Sequence, residues 1–357
     1  MRARDAAGAA ADAAHRCALR VRLALGVACG ALLAAGVLRD SSRGGGGDGA
    51  LLAAALARSA PPPLPPASWW HSHCAATMTA LRDARPGDVW PPPCPPPPGL
   101  HAAFEHAGMP IRETACLAQR YEGARNLSWS KNFVDEMRAG LASGALAGSY
   151  GPLETEALRA GLRALPAPVG GTVALVMGTE VPWVEALLLN EGAGLVWTFE
   201  YSHIDVQHPR MRAQPCQAIA ADFLADRFAP VDLIVSFSSL EHSGLGRYGD
   251  ALNPDGDRDA IAQAWCLLRP GGLLVLGVPM SCADRGETVF NAHRIYGYER
   301  LAYVAANFEL GGFVGSACRK ELGQPMVVLR KPVDLSAPAL PLVAGDFARA
   351  ASGGAAR

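Results

Sequence analysis

Charge is scarce in this chain of 357 residues. Only 18% of the side chains are Asp, Glu, Lys or Arg, and 32 basic against 33 acidic residues leave a formal net charge of -1. No broad basic surface is available at that balance, so no nucleic-acid partner is expected. Paired cysteines are absent too: the nine Cys stand singly at 17, 29, 74, 94, 116, 216, 266, 282 and 318, without the C-x-x-C spacing of a zinc or redox site. No metal site is expected, and disulfide pairing stays open, because buried thiols serve as small apolar residues as readily as they pair. Apolar residues, by contrast, make up 50%, enough for a sizeable core, while 39 Gly and 28 Pro are more than a core absorbs. One large domain with appendages fits this length and composition.

Long apolar runs are also few, and the first lies near the start. Leu23 to Leu38 reads LALGVACGALLAAGVL, sixteen residues without a charge, preceded by Arg16, Arg20 and Arg22. As a helix it spans ~24 Å, enough for a thin early-secretory membrane when flanking Arg side chains snorkel. The expectation is a signal anchor over 23–38 with residues 1–22 cytosolic and the bulk of the chain lumenal, the Arg excess before the run setting the orientation. A cleaved signal peptide is the alternative, with Ala34-Ala35-Gly36 as a small-residue cleavage site. Residues 39–100 run through RDSSRGGGGDGA, PPPLPP and PPPCPPPPG and read as a Pro/Gly stem without a packed core. This layout suits a lumenal Golgi or endoplasmic reticulum enzyme, and Asn126-Leu127-Ser128 is a glycosylation sequon on the same side.

Residues 101–167 read as a helical extension. Ala115, Leu117, Ala118 and Tyr121, then Phe133, Val134, Met137 and Leu141, recur at three- and four-residue spacing. From about 168 to 335 short β-branched runs alternate with helical stretches, as in TVALVMG, GLVWTFEY, VDLIVSF and GGLLVLGVP. That alternation predicts an α/β fold, a Rossmann-like, doubly wound, mainly parallel sheet, with strands near Val173, Leu195, Ile219, Leu233 and Leu274. VDLIVSF and LLVLGV are apolar almost throughout, as when helices cover both faces. FELGGFVGS and QPMVVLRKP are expected to close the sheet antiparallel, and 336–357 reads as a flexible tail.

Val231-Asp232-Leu233-Ile234-Val235-Ser236-Phe237-Ser238-Ser239-Leu240-Glu241-His242 resembles the fourth strand and following loop of class I S-adenosylmethionine methyltransferases. Leu268-Arg269-Pro270-Gly271-Gly272-Leu273-Leu274 resembles the turn before that fold's fifth strand. More narrowly, SSLEHSGLGRYGDALNPDGD, CLLRPGGLLVLGVP and FNAHRIYG are similar to the family named domain of unknown function 268, over roughly Thr172 to Pro332. The resemblance implies S-adenosylmethionine as cofactor, bound beyond the carboxyl ends of the strands at the switch point. Gly178 and Glu180 stand in the first turn, where only the first glycine of the usual Gly-x-Gly-x-Gly is matched, with Glu180 and Pro182 in place of the others. Glu200, followed by Tyr201, comes 22 residues after Gly178, near the offset at which an acid takes ribose hydroxyls. Asp222 and Phe223 follow the third apolar stretch, where related enzymes place an acid beside the adenine, and Ser238 ends the fourth strand.

Methyl transfer needs alignment and, for many acceptors, a base. His242 is the expected base, with Glu241 beside it and His293 facing the same mouth, while Arg294 suits an anionic acceptor. For each a structural role is the plain alternative: a tight turn at Gly178, a solvated Glu200, a helix-holding Glu241-His242 and a loop-ordering Arg294. The leading expectation is a membrane-anchored lumenal methyltransferase acting on a glycan, lipid or small-molecule acceptor. A Golgi-type glycosyltransferase using Asp255 and Asp257 as a D-x-D metal motif is the runner-up. A non-catalytic methyltransferase-like binding module is the third.

Overall fold

The computed structural model of the protein describes residues 67–84, 91–118, 127–201, 203–315, 324–335, 339 and 341–353. The expected anchor at 23–38, its cytosolic flank, the Gly-rich part of the stem and Asn126 of the sequon lie outside these residues. Among the described residues no helix is long and apolar enough to cross a membrane.

Helices α1 (Ala67–Asp83) and α2 (Pro98–Phe104) come first, then strands β1 (Ile111–Thr114) and β2 (Leu127–Trp129), then α3 (Lys131–Ser143) and α4 (Pro152–Arg163). The start of α3 follows from its sequence: the Ser130 side chain accepts from the Phe133 amide at 3.1 Å, and Gly144 at φ +74° ends it in the left-handed region. Pro152 opens α4, where a missing amide donor costs nothing. Next come β3 (Val173–Met177), α5 (Trp183–Asn190), β4 (Leu195–Glu200), β5 (Ile204–Val206), β6 (Met211–Pro215), α6 (Cys216–Leu224) and β7 (Val231–Phe237). The chain ends in α7 (Gly256–Leu267), β8 (Leu268–Gly277), β9 (Glu287–Phe290), β10 (His293–Ile295), α8 (Tyr298–Val304), β11 (Glu309–Val314), β12 (Met326–Arg330) and α9 (Ala344–Ala351).

Seven strands form the main sheet in the order β11-β12-β8-β7-β3-β4-β6. β6, β4, β3, β7 and β8 run parallel, and β12 runs antiparallel to both β8 and β11. The chain winds outward from β3 through β4 to β6 and then returns to the far side of β3, so the switch point lies between β3 and β7. Successive residues enter opposite cores. Leu175, Met177, Ile234, Leu274 and Leu276 pack with α1, α6, α7 and α8, whereas Ala174, Val176, Leu233, Val235 and Val275 pack with α3, α4 and α5. Burial on both faces is why these strands show no polar alternation.

Several expectations are corrected. Ile219 sits in α6, and the third strand is Met211–Pro215, whose polar composition hides a short edge strand. β12 rather than the edge strand is antiparallel, so β11 shares the direction of the parallel strands. Ile111–Thr114, expected as helix, pairs in parallel with β9. The stem stops short of residue 100: α1 buries Met78 and Leu81 in the main core and packs against α6 and α7. Disulfides Cys74–Cys266 and Cys94–Cys116 fasten this region to the domain. The tail is not free either, since α9 buries Phe347 against the same core.

Candidate functional site

Strand register brings the expected turns to one end of the sheet. Met177 pairs with Phe199 and with Ser236, Phe199 pairs with Gln214, and Phe237 pairs with Gly277. The turns after β3, β4 and β7 therefore start level with one another at the switch point. Gly178 takes φ +80°, a conformation that favours glycine, and its amide donates to Phe199 O at 3.1 Å. The two further glycines of the usual turn have other means of support here. Thr179 Oγ1 donates to Val181 O at 2.7 Å, and Trp129 Nε1 donates to Glu180 O at 3.3 Å.

Glu200 ends β4 and is 1% exposed. Its Oε1 accepts from the Tyr201 amide at 2.9 Å, while Oε2 is buried without a partner. Burial pushes this carboxyl well above the usual range, the nearby Glu180 and Glu185 charges adding to it and the Tyr201 and Thr179 amides opposing it. An acid desolvated at a strand end with one bare oxygen is ready for a ligand hydroxyl, because an unmade buried hydrogen bond is costly. Behind it, Glu185 in α5 accepts from Thr198 Oγ1 at 2.8 Å and is raised by burial to about 8.

After β7 the chain makes a short helical turn at Leu240–His242. Ser238 adopts φ +51°, a strained position for a residue with a side chain, and its hydroxyl donates to Glu241 Oε1 at 2.7 Å. Tyr150, from the loop between α3 and α4, donates to Ser238 O at 3.0 Å. Burial raises Glu241 to about 7, although Ser238, Arg247 and Arg294 act against the rise, and its Oε2 has no partner. His242 departs from expectation. Burial, helped by the Arg247 charge, lowers it to about 3, and one ring nitrogen is committed, Nδ1 lying 2.6 Å from Ala292 O. That keeps the ring neutral, with Nε2 buried and without a partner. His293, lowered by desolvation, lies with its ring centroid 6.3 Å from that of His242.

The glycine-rich stretch from Ser243 onward is a buried loop folded around one carboxylate. Asp250 accepts from the amides of Gly244 at 2.7 Å, Gly246 at 3.2 Å and Tyr248 at 3.3 Å. A Cβ on Gly244 would lie 2.0 Å from Asn253 O, so the close crossing of the loop demands glycine there. Tyr248 stacks edge-on to His242 with centroids 5.6 Å apart, and its hydroxyl is buried without a partner.

Other expected site residues serve the fold. Asp222 lies near the end of α6, pairs with Arg227 at 2.7 Å and accepts from Gln214 Nε2 at the end of β6 at 3.2 Å, while Phe223 packs on the main core. Arg294 is buried and donates to Ser243 O at 2.6 Å and Pro254 O at 3.2 Å, so it orders the loop instead of meeting an anionic acceptor. The D-x-D reading fails on electrostatics. Burial alone would raise Asp257, but Arg294 and Arg300 hold it down at about 2, and Arg300 Nε at 3.1 Å and Tyr296 OH at 2.9 Å occupy its oxygen. Asp255 accepts from Tyr303 OH at 3.1 Å. Two cations beside Asp257 leave no place for a divalent metal.

Tyr150, Arg247 and Tyr248 were not singled out from sequence. Tyr248 and Arg247 lay inside a stretch legible as unusually polar, but Tyr150 carries no local signal and reaches the site only through the packing of α3 and α4.

Residues 171–323 match the model of the family described as "Caenorhabditis protein of unknown function, DUF268". The resemblance seen in the sequence is borne out there. No curated protein matches the chain. Among solved structures it is similar to the Burkholderia thailandensis 1,6-didemethyltoxoflavin-N1-methyltransferase with bound 1,6-didemethyltoxoflavin and S-adenosylhomocysteine: 19% identity, 56% of this chain and 87% of that one, TM-score 0.38. It is also similar to the N-methyltransferase NodS from Bradyrhizobium japonicum in complex with S-adenosylhomocysteine: 18% identity, 57% and 98% coverage, TM-score 0.33. These likenesses are distant, and the chemistry of the site is read from its own residues.

Proposed function

We propose that this chain is an S-adenosylmethionine-dependent methyltransferase acting on a glycan, lipid or small-molecule acceptor, anchored by Leu23 to Leu38 with its domain in the lumen of the early secretory pathway. The observation that carries the reading is Glu200: a buried acid at the end of β4, beside the Gly178 turn at the switch point, with one oxygen unpartnered. That oxygen suits a ribose hydroxyl, and the backbone of Gly178 and Thr179 suits the amino-acid end of the cofactor. When bound, the cofactor supplies a methyl group on a cationic sulfur. The half-exposed Glu180 and the buried Glu200 and Glu241 place three carboxyl groups around this site, and a cation there favours their ionised forms. The chain's own work is to hold the acceptor in line and exclude water. Disulfides Cys74–Cys266 and Cys94–Cys116 support the lumenal placement, since such bonds persist in oxidising compartments.

Calorimetric titration with S-adenosylhomocysteine tests the reading directly. Glu200→Ala should weaken binding by ~1–3 kcal/mol, the range for leaving a buried hydrogen-bonding group without its partner. Unchanged affinity in that variant, or no binding by the wild type at millimolar ligand, would turn the assignment to a non-catalytic binding module. Protease protection in sealed vesicles tests the topology, and digestion of the domain from the cytosolic side would reject it.

A further inference from the structure

We infer that Trp129 and Tyr150 are positioning residues of the cofactor site: each donates one hydrogen bond to a backbone oxygen, and together they hold the turns after β3 and β7 in the form that receives S-adenosylmethionine. This rests on the methyltransferase reading above. Both residues precede residue 171, where the family match begins, so the matched stretch is incomplete as a cofactor site without the chain before it. Two positions make outside support necessary. Glu180 stands where a freely turning glycine is usual, and Ser238 holds φ +51° with a side chain attached. Backbone of that kind keeps its shape only when its surroundings fix it.

Trp129 is placed by β2, which pairs in parallel with β5, and by the Gln207 amide, which donates to Trp129 O at 3.0 Å. β5 is the element that follows Glu200, so the buried indole ties the chain after β4 to the turn after β3, its Nε1 lying 3.3 Å from Glu180 O. Tyr150 is placed by a flat turn. The Gly151 amide donates to Gly148 O at 3.0 Å and the Gly148 amide to Thr155 Oγ1 at 2.7 Å, while a Cβ on Gly148 would run into the Trp183 ring, so only glycine lets the turn lie there. The Tyr150 ring leans on Trp183 and Phe237, with centroids 6.2 and 5.6 Å away, and its hydroxyl donates to Ser238 O at 3.0 Å. In a trans peptide the carbonyl and amide of one unit point opposite ways, so fixing Glu180 O and Ser238 O also fixes the amides of Val181 and Ser239. Two backbone donors are thereby held still on either side of the switch point.

Trp129→Phe and Tyr150→Phe each keep a ring and remove one donor, so they test the bonds and not the packing. Calorimetric titration with S-adenosylhomocysteine should show affinity weaker by about twofold to tenfold in each, as for the loss of one net hydrogen bond. In the double variant the two losses should multiply, because the bonds hold separate turns. Amide exchange of the ligand-free chain supplies a second readout. The bonded amides Gly178 and Trp183 of the first turn should exchange at least ~threefold faster in Trp129→Phe, and Ser238 and His242 of the second in Tyr150→Phe, with the interiors of β3 and β7 unchanged. Unchanged affinity in either variant removes that residue from the site, and unchanged affinity in both overturns the inference. Weaker affinity accompanied by faster exchange throughout the sheet also overturns it, since that marks a general loss of stability. No binding by the wild type at millimolar ligand would instead remove the methyltransferase reading, and the positioning role with it, whatever the exchange rates show.

Discussion

Two sets of buried acids lie in this domain, and they have been treated in opposite ways. Asp257, at the start of α7, is surrounded by Arg294, Arg300 and Tyr296, and its cations hold it ionised at about 2. Glu200 and Glu241, at the ends of β4 and β7, are buried as deeply, yet each keeps an oxygen without a partner and is pushed upward. A fully paired buried acid is part of the frame; an unpaired one costs stability and is tolerated where a ligand or a proton completes it. Glycine-loop residues Ser243 to Gly249 join the two sets, tied to Arg294 on one side and carrying Tyr248 toward His242 on the other.

The contrast can be broken at several points. Asp257→Asn should have the largest effect, because it strands two buried arginines: a loss of about 3–5 kcal/mol in chemical denaturation, the range for breaking a buried ion pair. A variant as stable as the wild type would refute the framework role. Removing Cys74–Cys266 with paired Cys→Ala changes should cost about 2–4 kcal/mol, since a link between residues 192 apart restricts the unfolded chain strongly. Its check is the same denaturation series, run with and without reductant on the wild type.

Acidity should sharpen the comparison further. Glu185 at about 8 and Glu241 at about 7 keep their protons in the folded state where the unfolded chain has lost them. The folded state therefore binds more protons from the ordinary carboxyl value of 4.5 upward, and this contribution to stability falls as pH rises until it is lost at about 8. Below about pH 6.5 His242 opposes this trend, because its folded pKa of about 3 means that the unfolded chain takes up the extra proton. The melting temperature should thus decline from about pH 6.5 to about pH 8, and Glu185→Gln should reduce the slope. A melting temperature that climbs over that interval would contradict both assignments. The smallest effect belongs to Asp222→Ala. Its pair with Arg227 is a surface contact, so stability should change by less than about 1 kcal/mol and S-adenosylhomocysteine affinity should stay put.

Much of the central sheet was legible from residue pattern alone. VALVM, LVWTFE, VDLIVSF and the run into β8 are apolar without alternation, and strands covered by helices on both faces must be so whatever their neighbours. Gly178, Glu200 and Ser238 were likewise legible as strand-end residues, because the carboxyl ends of parallel strands next to a switch point lie side by side in any fold of this kind. Met211–Pro215 escaped detection because an edge strand facing solvent needs few apolar residues. Ile111–Thr114 escaped because its pairing with β9 joins residues some 177 apart in the chain, which no local periodicity encodes. Only the tertiary structure decided which acids are paired. Glu241 and His242 are adjacent in sequence and share one loop, and their proton affinities were reversed by burial together with Arg247 and Arg294, whose positions depend on β10 folding back over the turn. Asp257 owes its low value to Arg294 and to Arg300 of α8. Strand character is a property of side-chain chemistry along the chain, whereas the charge state of a buried group is set by what the fold places around it.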